Sequence, residues 1–273
     1  MTEIDAPSPP SDYFYPPVST VCTFPFSSFL KEYHAHLDYF FFIVGLVSRA
    51  DLNRVTAAEA LLKTARSIDE RARYEKILSE KGSVLKELKK HSTVQSQNLT
   101  NGTVSAFQRY FSGIIQMAAL KIPLILSSKQ TVMLEDIVKF SKHTDLIAFL
   151  VDRKVNELAY GGLQEMEKYF DERLGVQMFR DERDRSLLRL FVEIRNINVH
   201  NGGIVNSTFI NRVGKIDGYK YAIGKRFHVD FENLVALSEN AMKVAMTIDG
   251  VVAEKFRLRQ KSHRNWIAKP KAH

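Results

Sequence analysis

The stretch DERDRSLLRLFVEIRNINVHNGG, residues 181–203, decides the fold that the sequence predicts. Its centre carries apolar side chains that recur with the period of about 3.6 residues of an amphipathic helix. They fall on one broad side and belong to Leu187, Leu188, Leu190, Phe191 and Ile194. Gly202 and Gly203 tolerate positive φ, which is a usual way to end a helix. We therefore predict one long helix whose last turns are polar.

Similar spacing predicts helices along most of the chain. We expect them at about residues 27–50, 56–90, 104–120, 134–141, 145–159, 163–174 and 231–259. Gly82-Ser83 can break the second of these, and the polar stretch at residues 92–103 predicts a loop. After the long helix the period changes, which predicts two short strands, residues 204–213 and 219–229, joined at the turn Asp217-Gly218.

Composition divides the chain into four predicted regions. Six of the 8 prolines fall within residues 1–25, which predicts a mostly extended arm. N-terminal helices are expected at residues 26–100, and a helical bundle with the hairpin 204–229 at residues 101–254. Residues 255–273 carry seven Lys or Arg and no acidic residue. This basic C-terminal tail either contacts nucleic acid or only aids solubility.

The bulk composition is that of an ordinary globular protein, with 45% hydrophobic and 26% charged residues. A formal net charge of +8 attracts polyanions such as RNA. Cys22 is the single cysteine, which excludes an intrachain disulfide and a multi-cysteine zinc site. The longest apolar run, residues 39–47, is about half of the ~20 residues that cross a bilayer. The start of the chain does not resemble a signal peptide, so we expect a cytoplasmic protein without a membrane segment.

The last turns of the long helix combine Arg195, Asn196 and His200. Asn196 and His200 are four residues apart and share a helix face. Arginine is a permanent planar cation that can grip a phosphate in two places, and histidine exchanges a proton near neutral pH. Asparagine can hold an imidazole or a phosphate oxygen without adding charge. Together these residue types suit proton transfer directed at a phosphate.

A plainer interpretation of Arg195 and His200 is a pair of cationic side chains that favours the dipole at the end of a helix. An Arg and a His five residues apart are also a weak signal, because this chain contains many Arg and 8 His. Asn196 directly follows the Arg, and Asn201 directly follows the His. These neighbours favour the chemical interpretation.

At these residues the sequence resembles the HEPN family, whose motif is Arg, a polar residue, a few variable positions and then His. Arg195, Asn196 and His200 match the motif, and Asn201 and Gly203 fit a frequent extension of it. The resemblance covers about residues 100–250 and is to uncharacterised bacterial members. It implies a HEPN-type bundle in which the motif ends a helix.

The resemblance also implies a chemistry. Active HEPN proteins cut RNA without a metal or cofactor: the ribose 2′-hydroxyl attacks the neighbouring phosphate and leaves a 2′,3′-cyclic phosphate. His200 would transfer protons, Arg195 would stabilise charge on the phosphate, and Asn196 would orient them. Glu193 and Asn201 would be supporting residues.

A homodimer is expected, because one copy offers one motif His and the family brings two motifs into one cleft. The basic residues after the motif are expected to bind RNA backbone: Arg212, Lys215, Lys220, Lys225 and Arg226. Bacterial defence or stress response, with an antitoxin or defence-system partner, is the setting that the family implies. Members paired with a nucleotidyltransferase antitoxin often have Tyr two residues after the His, whereas this chain has Gly202.

Two alternatives stay open. Some HEPN proteins do not cut RNA but bind it, or bind a protein partner, as sensors or scaffolds. A second Arg–His pair, Arg257 and His263, has a spacing one residue longer, and Leu258 replaces the polar neighbour there.

Overall fold

A computed structural model of the chain describes residues 13–126 and 131–268, and these are mainly helical, as predicted. The α-helices of the described residues are α1 (Phe24–Leu62), α2 (Ile68–Ser79), α3 (Ser83–Lys90), α4 (Ser92–Lys121), α5 (Leu134–Ile137), α6 (His143–Gly161), α7 (Leu163–Tyr169), α8 (Glu182–Asn201), α9 (Ser207–Val213), α10 (Phe231–Lys255) and α11 (His263–Ile267). A 3-10 turn spans Pro123–Leu126, and a π-helical turn, Phe170–Leu174, follows α7. Among the described helices, none has the length and apolar character needed to cross a membrane.

The described residues form two compact units. The smaller contains Tyr13 and residues 34–99, and the larger contains residues 14–33 and 100–268. In the smaller unit, the turn between α2 and α3 is held to α1. The N–H of Gly82 donates to the Asp51 carboxylate at 2.6 Å, and Arg54 donates to the carbonyl of Glu80 at 2.7 Å. The predicted break at Gly82-Ser83 is thereby confirmed.

The larger unit is built around buried aromatic rings from several helices. Phe107 and Phe111 of α4 pack edge to face at 4.6 Å, and Phe111 meets Phe170 at 5.1 Å. The Tyr110 hydroxyl donates to the carbonyl of Ala245 in α10 at 3.1 Å. These contacts fix α4 beside α10 in a core from which water is excluded.

The long motif helix α8 packs against α10. Leu188, Leu190 and Phe191 are fully buried, so the predicted apolar side of this helix is confirmed. The Asn240 side chain of α10 donates to the carbonyl of Asp184 at 3.0 Å. Burial of one side of α8 leaves its other side available to line a cleft.

The predicted loop at residues 92–103 is wrong, because these residues form the first turns of α4. Thr100, Thr103 and Val104 are buried, so packing within the larger unit overrides their polar composition. One predicted helix boundary in the smaller unit is wrong as well. Helix α1 continues through residues 51–55, where a break between two helices was predicted.

The predicted β-hairpin at residues 204–229 is also wrong. The Asn206 side chain accepts from the N–H of Phe209 at 2.8 Å and starts α9 where a strand was expected. Phe209 and Val213 are four residues apart and both buried, which satisfies a helix as well as the strand pattern. An isolated bridge between Ile204 and Arg226 is the pairing that the structure describes in this segment.

The chain before α1 pairs with the chain after α10. Strands β1 (Val21–Cys22) and β2 (Lys261–Ser262) are antiparallel, with Val21 opposite Ser262. The Trp266 indole donates to the carbonyl of Cys22 at 2.9 Å. Residues 1–12 of the predicted Pro-rich arm and residues 269–273 at the end of the basic tail lie outside the described residues.

A buried carboxylate joins this pairing to the core. Asp249 of α10 accepts from the backbone N–H of Thr23 at 2.9 Å and from the Thr23 hydroxyl. Burial raises the pKa of Asp249 from 3.8 to about 6, against the opposing effect of the two Thr23 hydrogen bonds. The folded protein therefore keeps this carboxyl group protonated to a higher pH than the unfolded chain does.

This carboxylate gives a prediction for the pH dependence of stability. Because the folded-state pKa lies above the ordinary value, its stabilising contribution is complete below about pH 4 and is lost as the pH rises through about 6. Asp249→Asn carries no charge at any pH. Its free energy of unfolding, relative to wild type, should rise by up to about 3 kcal/mol between pH 4 and 7.

Urea unfolding of both proteins across this pH range measures the difference. A difference that stays constant from pH 4 to 7 would contradict the assignment of a raised pKa to Asp249.

Candidate active site

The ends of α8 are fixed by local hydrogen bonds. The Asp181 side chain accepts from the N–H of Asp184 at 2.8 Å and caps the first turn. At the other end Gly202 has φ +57°, and the N–H of Gly203 donates to the carbonyl of Ile197 at 2.9 Å. The predicted helix and its glycine stop are confirmed. The motif therefore occupies the last turns of a well-capped helix.

The motif residues line an open cleft of about 700 Å³. Residues of α8 that share one face at helical spacing form one wall: Glu193, Asn196, Ile197, His200 and Asn201. Arg195 also lines the cleft. The structure thus brings together the three predicted catalytic residues and the two supporting ones.

Their environments differ in solvent exposure. The His200 side chain is exposed, whereas Arg195 and Asn196 are half-buried. The Arg195 Nη1 donates to Asn196 Oδ1 at 3.3 Å. Arg195 Nε is buried and has no hydrogen-bond partner among the residues that the structure describes. A buried donor without a partner is costly, so this guanidinium retains capacity for a bound acceptor.

Glu193 is a buried carboxylate in the α8 wall of the cleft. Its side chain is 4% exposed and accepts from Arg212 Nη1 at 3.2 Å. Arg212 belongs to α9, which packs against α8. The ion pair therefore fixes the position of a second guanidinium group at the cleft.

The predicted RNA-binding residues lie in two different places. Arg212 lines the cleft, whereas the other four are exposed side chains that do not line it: Lys215, Lys220, Lys225 and Arg226. They lie on the irregular segment between α9 and α10. These cations can contact a polyanion outside the cleft.

Other residues of the cleft escaped the sequence analysis. Gln108 of α4 and Asn156 of α6 contribute the facing walls, and Asn206 and Thr208 contribute from the start of α9. Gln108 and Asn156 lie far from the motif along the chain, so the sequence gives no sign that they are close to it in space. One local signal exists, because Gln108 is a polar residue within an otherwise largely aromatic stretch of α4.

The second Arg–His pair is not an equivalent site. His263 is buried, and its Nδ1 lies 2.7 Å from the Ser27 hydroxyl oxygen. Burial, together with Lys31, lowers the pKa of this imidazole. Within the described ranges, no group of three or more His, Cys, Asp or Glu is arranged to hold a metal ion.

The ion pair between Glu193 and Arg212 gives a prediction for stability. Arg212→Ala should lower the free energy of unfolding by about 1–3 kcal/mol, because it leaves the buried Glu193 carboxylate without this partner. The double variant Glu193→Gln with Arg212→Ala should recover most of the loss. Chemical denaturation at pH 7 measures both. Equal destabilisation of the single and double variants would show that the carboxylate does not depend on Arg212.

No protein-family model, curated protein or solved structure matches the chain.

Proposed function

We propose that this protein is a metal-independent endoribonuclease of the HEPN type that acts as a homodimer. One observation carries the proposal: Arg195, Asn196 and His200 line a single open cleft at the end of α8. In the plainer interpretation, a helix-end pair needs no cleft and no facing polar walls. The arrangement instead offers a cationic site with an accessible proton-transfer group.

The cationic side chains support binding of a phosphodiester. Arg195 and Arg212 line the same cleft, and Glu193 neutralises one of the two charges. The local balance therefore favours an anion. Guanidinium groups bind phosphate oxygens in a bidentate manner and stabilise the charge that builds on phosphorus during the reaction.

His200 supplies proton transfer in the proposed reaction. The ribose 2′-oxygen loses its proton and forms a bond to phosphorus. The bond from phosphorus to the 5′-oxygen breaks, and the leaving oxygen gains a proton. The products are a 2′,3′-cyclic phosphate and a 5′-hydroxyl end. An exposed imidazole can accept the first proton or donate the second.

The two proton transfers support a pair of motifs. One copy contributes a single His200, so a second copy supplies the complementary acid or base in a symmetric dimer. Apolar side chains beside the motif are exposed: Val199 at 51% and Ile204 at 39%. Contact between two copies would cover these side chains and bring the two motif helices together.

The substrate in this proposal is RNA, because the reaction needs a 2′-hydroxyl group. The exposed cations after α9, Lys215, Lys220, Lys225 and Arg226, would contact the backbone outside the cleft. Affinity for RNA should then fall as the salt concentration rises, since each phosphate contact releases counterions.

The proposal predicts loss of activity in two variants. Arg195→Ala and His200→Ala should each lower the rate of RNA cleavage by about 10²–10³-fold in excess EDTA. Arg180→Ala and His143→Ala remove the same residue types from exposed positions outside the cleft and should leave the rate unchanged. Single-turnover assays on single-stranded and structured RNA measure the rates. Sedimentation of each variant checks its association state.

Cleavage that persists in both motif variants, or that disappears from wild type in EDTA, would contradict the proposal. RNA binding by wild type without cleavage would instead favour a non-catalytic RNA-binding protein with the same cleft.

A further inference from the structure

The cleft that contains the motif continues into a second cleft. Gln108 and Asn156 line both, so the two form one groove. The second part has a volume of about 530 Å³, within the range of about 300–1,000 Å³ that small-molecule sites occupy. An RNA strand that binds at Arg195 and His200 can therefore extend past the side-chain amides of Gln108 and Asn156.

Two polar stripes face each other across the second cleft. On α4 its lining residues recur at helical spacing, as Ser105, Gln108, Arg109 and Ser112. On α6 they are Asp152, Val155 and Asn156. Residues next to these stripes on both helices are buried, with Phe107, Phe111 and Val151 at 2% exposure or less. The core therefore holds both stripes in place.

The charge of the groove changes along its length. Near the motif, Arg195 and Arg212 outnumber the single carboxylate of Glu193. In the second cleft, Arg109 is paired with Glu32, and Asp152 adds a negative charge. A phosphate is favoured in the first part and disfavoured in the second. An uncharged portion of a nucleotide suits the second part.

The amide groups in the second cleft have free hydrogen-bonding capacity. Gln108 is half-buried and Asn156 is exposed, and neither side chain has a hydrogen bond to another described residue. Val155 and Met166 add an apolar surface beside them. A flat ring that is apolar on its face and polar on its edge matches this combination.

We propose that Gln108 and Asn156 form a base-recognition subsite for the nucleotide next to the cleaved phosphate, with adenine as the preferred base. A side-chain amide donates to N7 and accepts from the exocyclic amino group of adenine. The Asp152 carboxylate provides a further acceptor for an amino group, which uracil lacks. Unpaired bases in single-stranded RNA expose these edges. This inference deepens the proposed function and rests on it for the position of the phosphate.

Mapping of cleavage sites in a pool of random single-stranded RNA tests the subsite. Wild type should cut preferentially beside adenine. Gln108→Ala and Asn156→Ala should each reduce this preference by about fivefold or more, which is the lower limit expected for losing a bidentate pair. Gln164→Ala, which removes an exposed amide from α7 outside the groove, should keep the wild-type pattern.

Binding of 2′-O-methyl pentanucleotides of each base, measured by fluorescence anisotropy, separates this inference from the nuclease proposal. These RNAs bind but have no 2′-hydroxyl group to react. An adenine preference in binding that both variants lose supports the subsite even when wild type cuts no RNA. Adenine-selective binding without cleavage would overturn the nuclease proposal but leave the subsite.

Three results would overturn either the subsite or its assignment to adenine. Cleavage with a base preference that both variants retain leaves the nuclease and removes the subsite. The absence of any base preference, in cleavage and in binding, also removes it. A preference for another base that both variants lose keeps the subsite and overturns its assignment to adenine.

Discussion

Burial of one side of α8 is the constraint on which the rest of the cleft depends. Leu188, Leu190 and Phe191 are removed from water against the core of the larger unit. Each such side chain contributes about 1.5–3 kcal/mol, far more than a single exposed hydrogen bond. This burial sets the rotation of the helix about its axis. As a result, the polar side chains Asn196, His200 and Asn201 of its last turns line the cleft.

The glycine stop completes this arrangement. Gly202 adopts a left-handed conformation that other residues rarely adopt, so the chain leaves α8 directly after the motif. The chain then turns back, and Asn206 starts α9 close enough for Arg212 to reach Glu193. One side of the cleft is thus built from residues that are near in sequence, while α4 and α6 supply the facing walls.

The helix α8 could be predicted from the sequence because its apolar period, its Asp181 cap and its glycine end all agree. Where the predicted secondary structure was wrong, the local sequence signals conflicted. The change of period after Gly203 and the Asp217-Gly218 turn predicted a strand where α9 forms, and Asn206 did not reveal the helix start because Asn is common in turns as well. Residues 92–103 have a loop-like composition, and the burial of Thr100 and Thr103 depends on contacts that no local pattern reveals.

The same distinction applies to the site. Arg195, Asn196 and His200 could be grouped from the sequence because helical spacing places them together. Gln108 and Asn156 could not, since their proximity to the motif results from the packing of α4 and α6. Of the five basic residues expected to bind RNA backbone, Arg212 lines the cleft, and the four that follow α9 are exposed outside it.

In the proposed reaction, the cleft directs a ribose 2′-hydroxyl at the neighbouring phosphate. The most direct test uses an RNA with a mapped cleavage site and replaces the single 2′-hydroxyl at that site by hydrogen. The account predicts that cleavage stops at this bond and continues at other sites, where the products end in a 2′,3′-cyclic phosphate. Continued cleavage at the substituted bond would show that another nucleophile, such as water, attacks the phosphate, and would contradict the account.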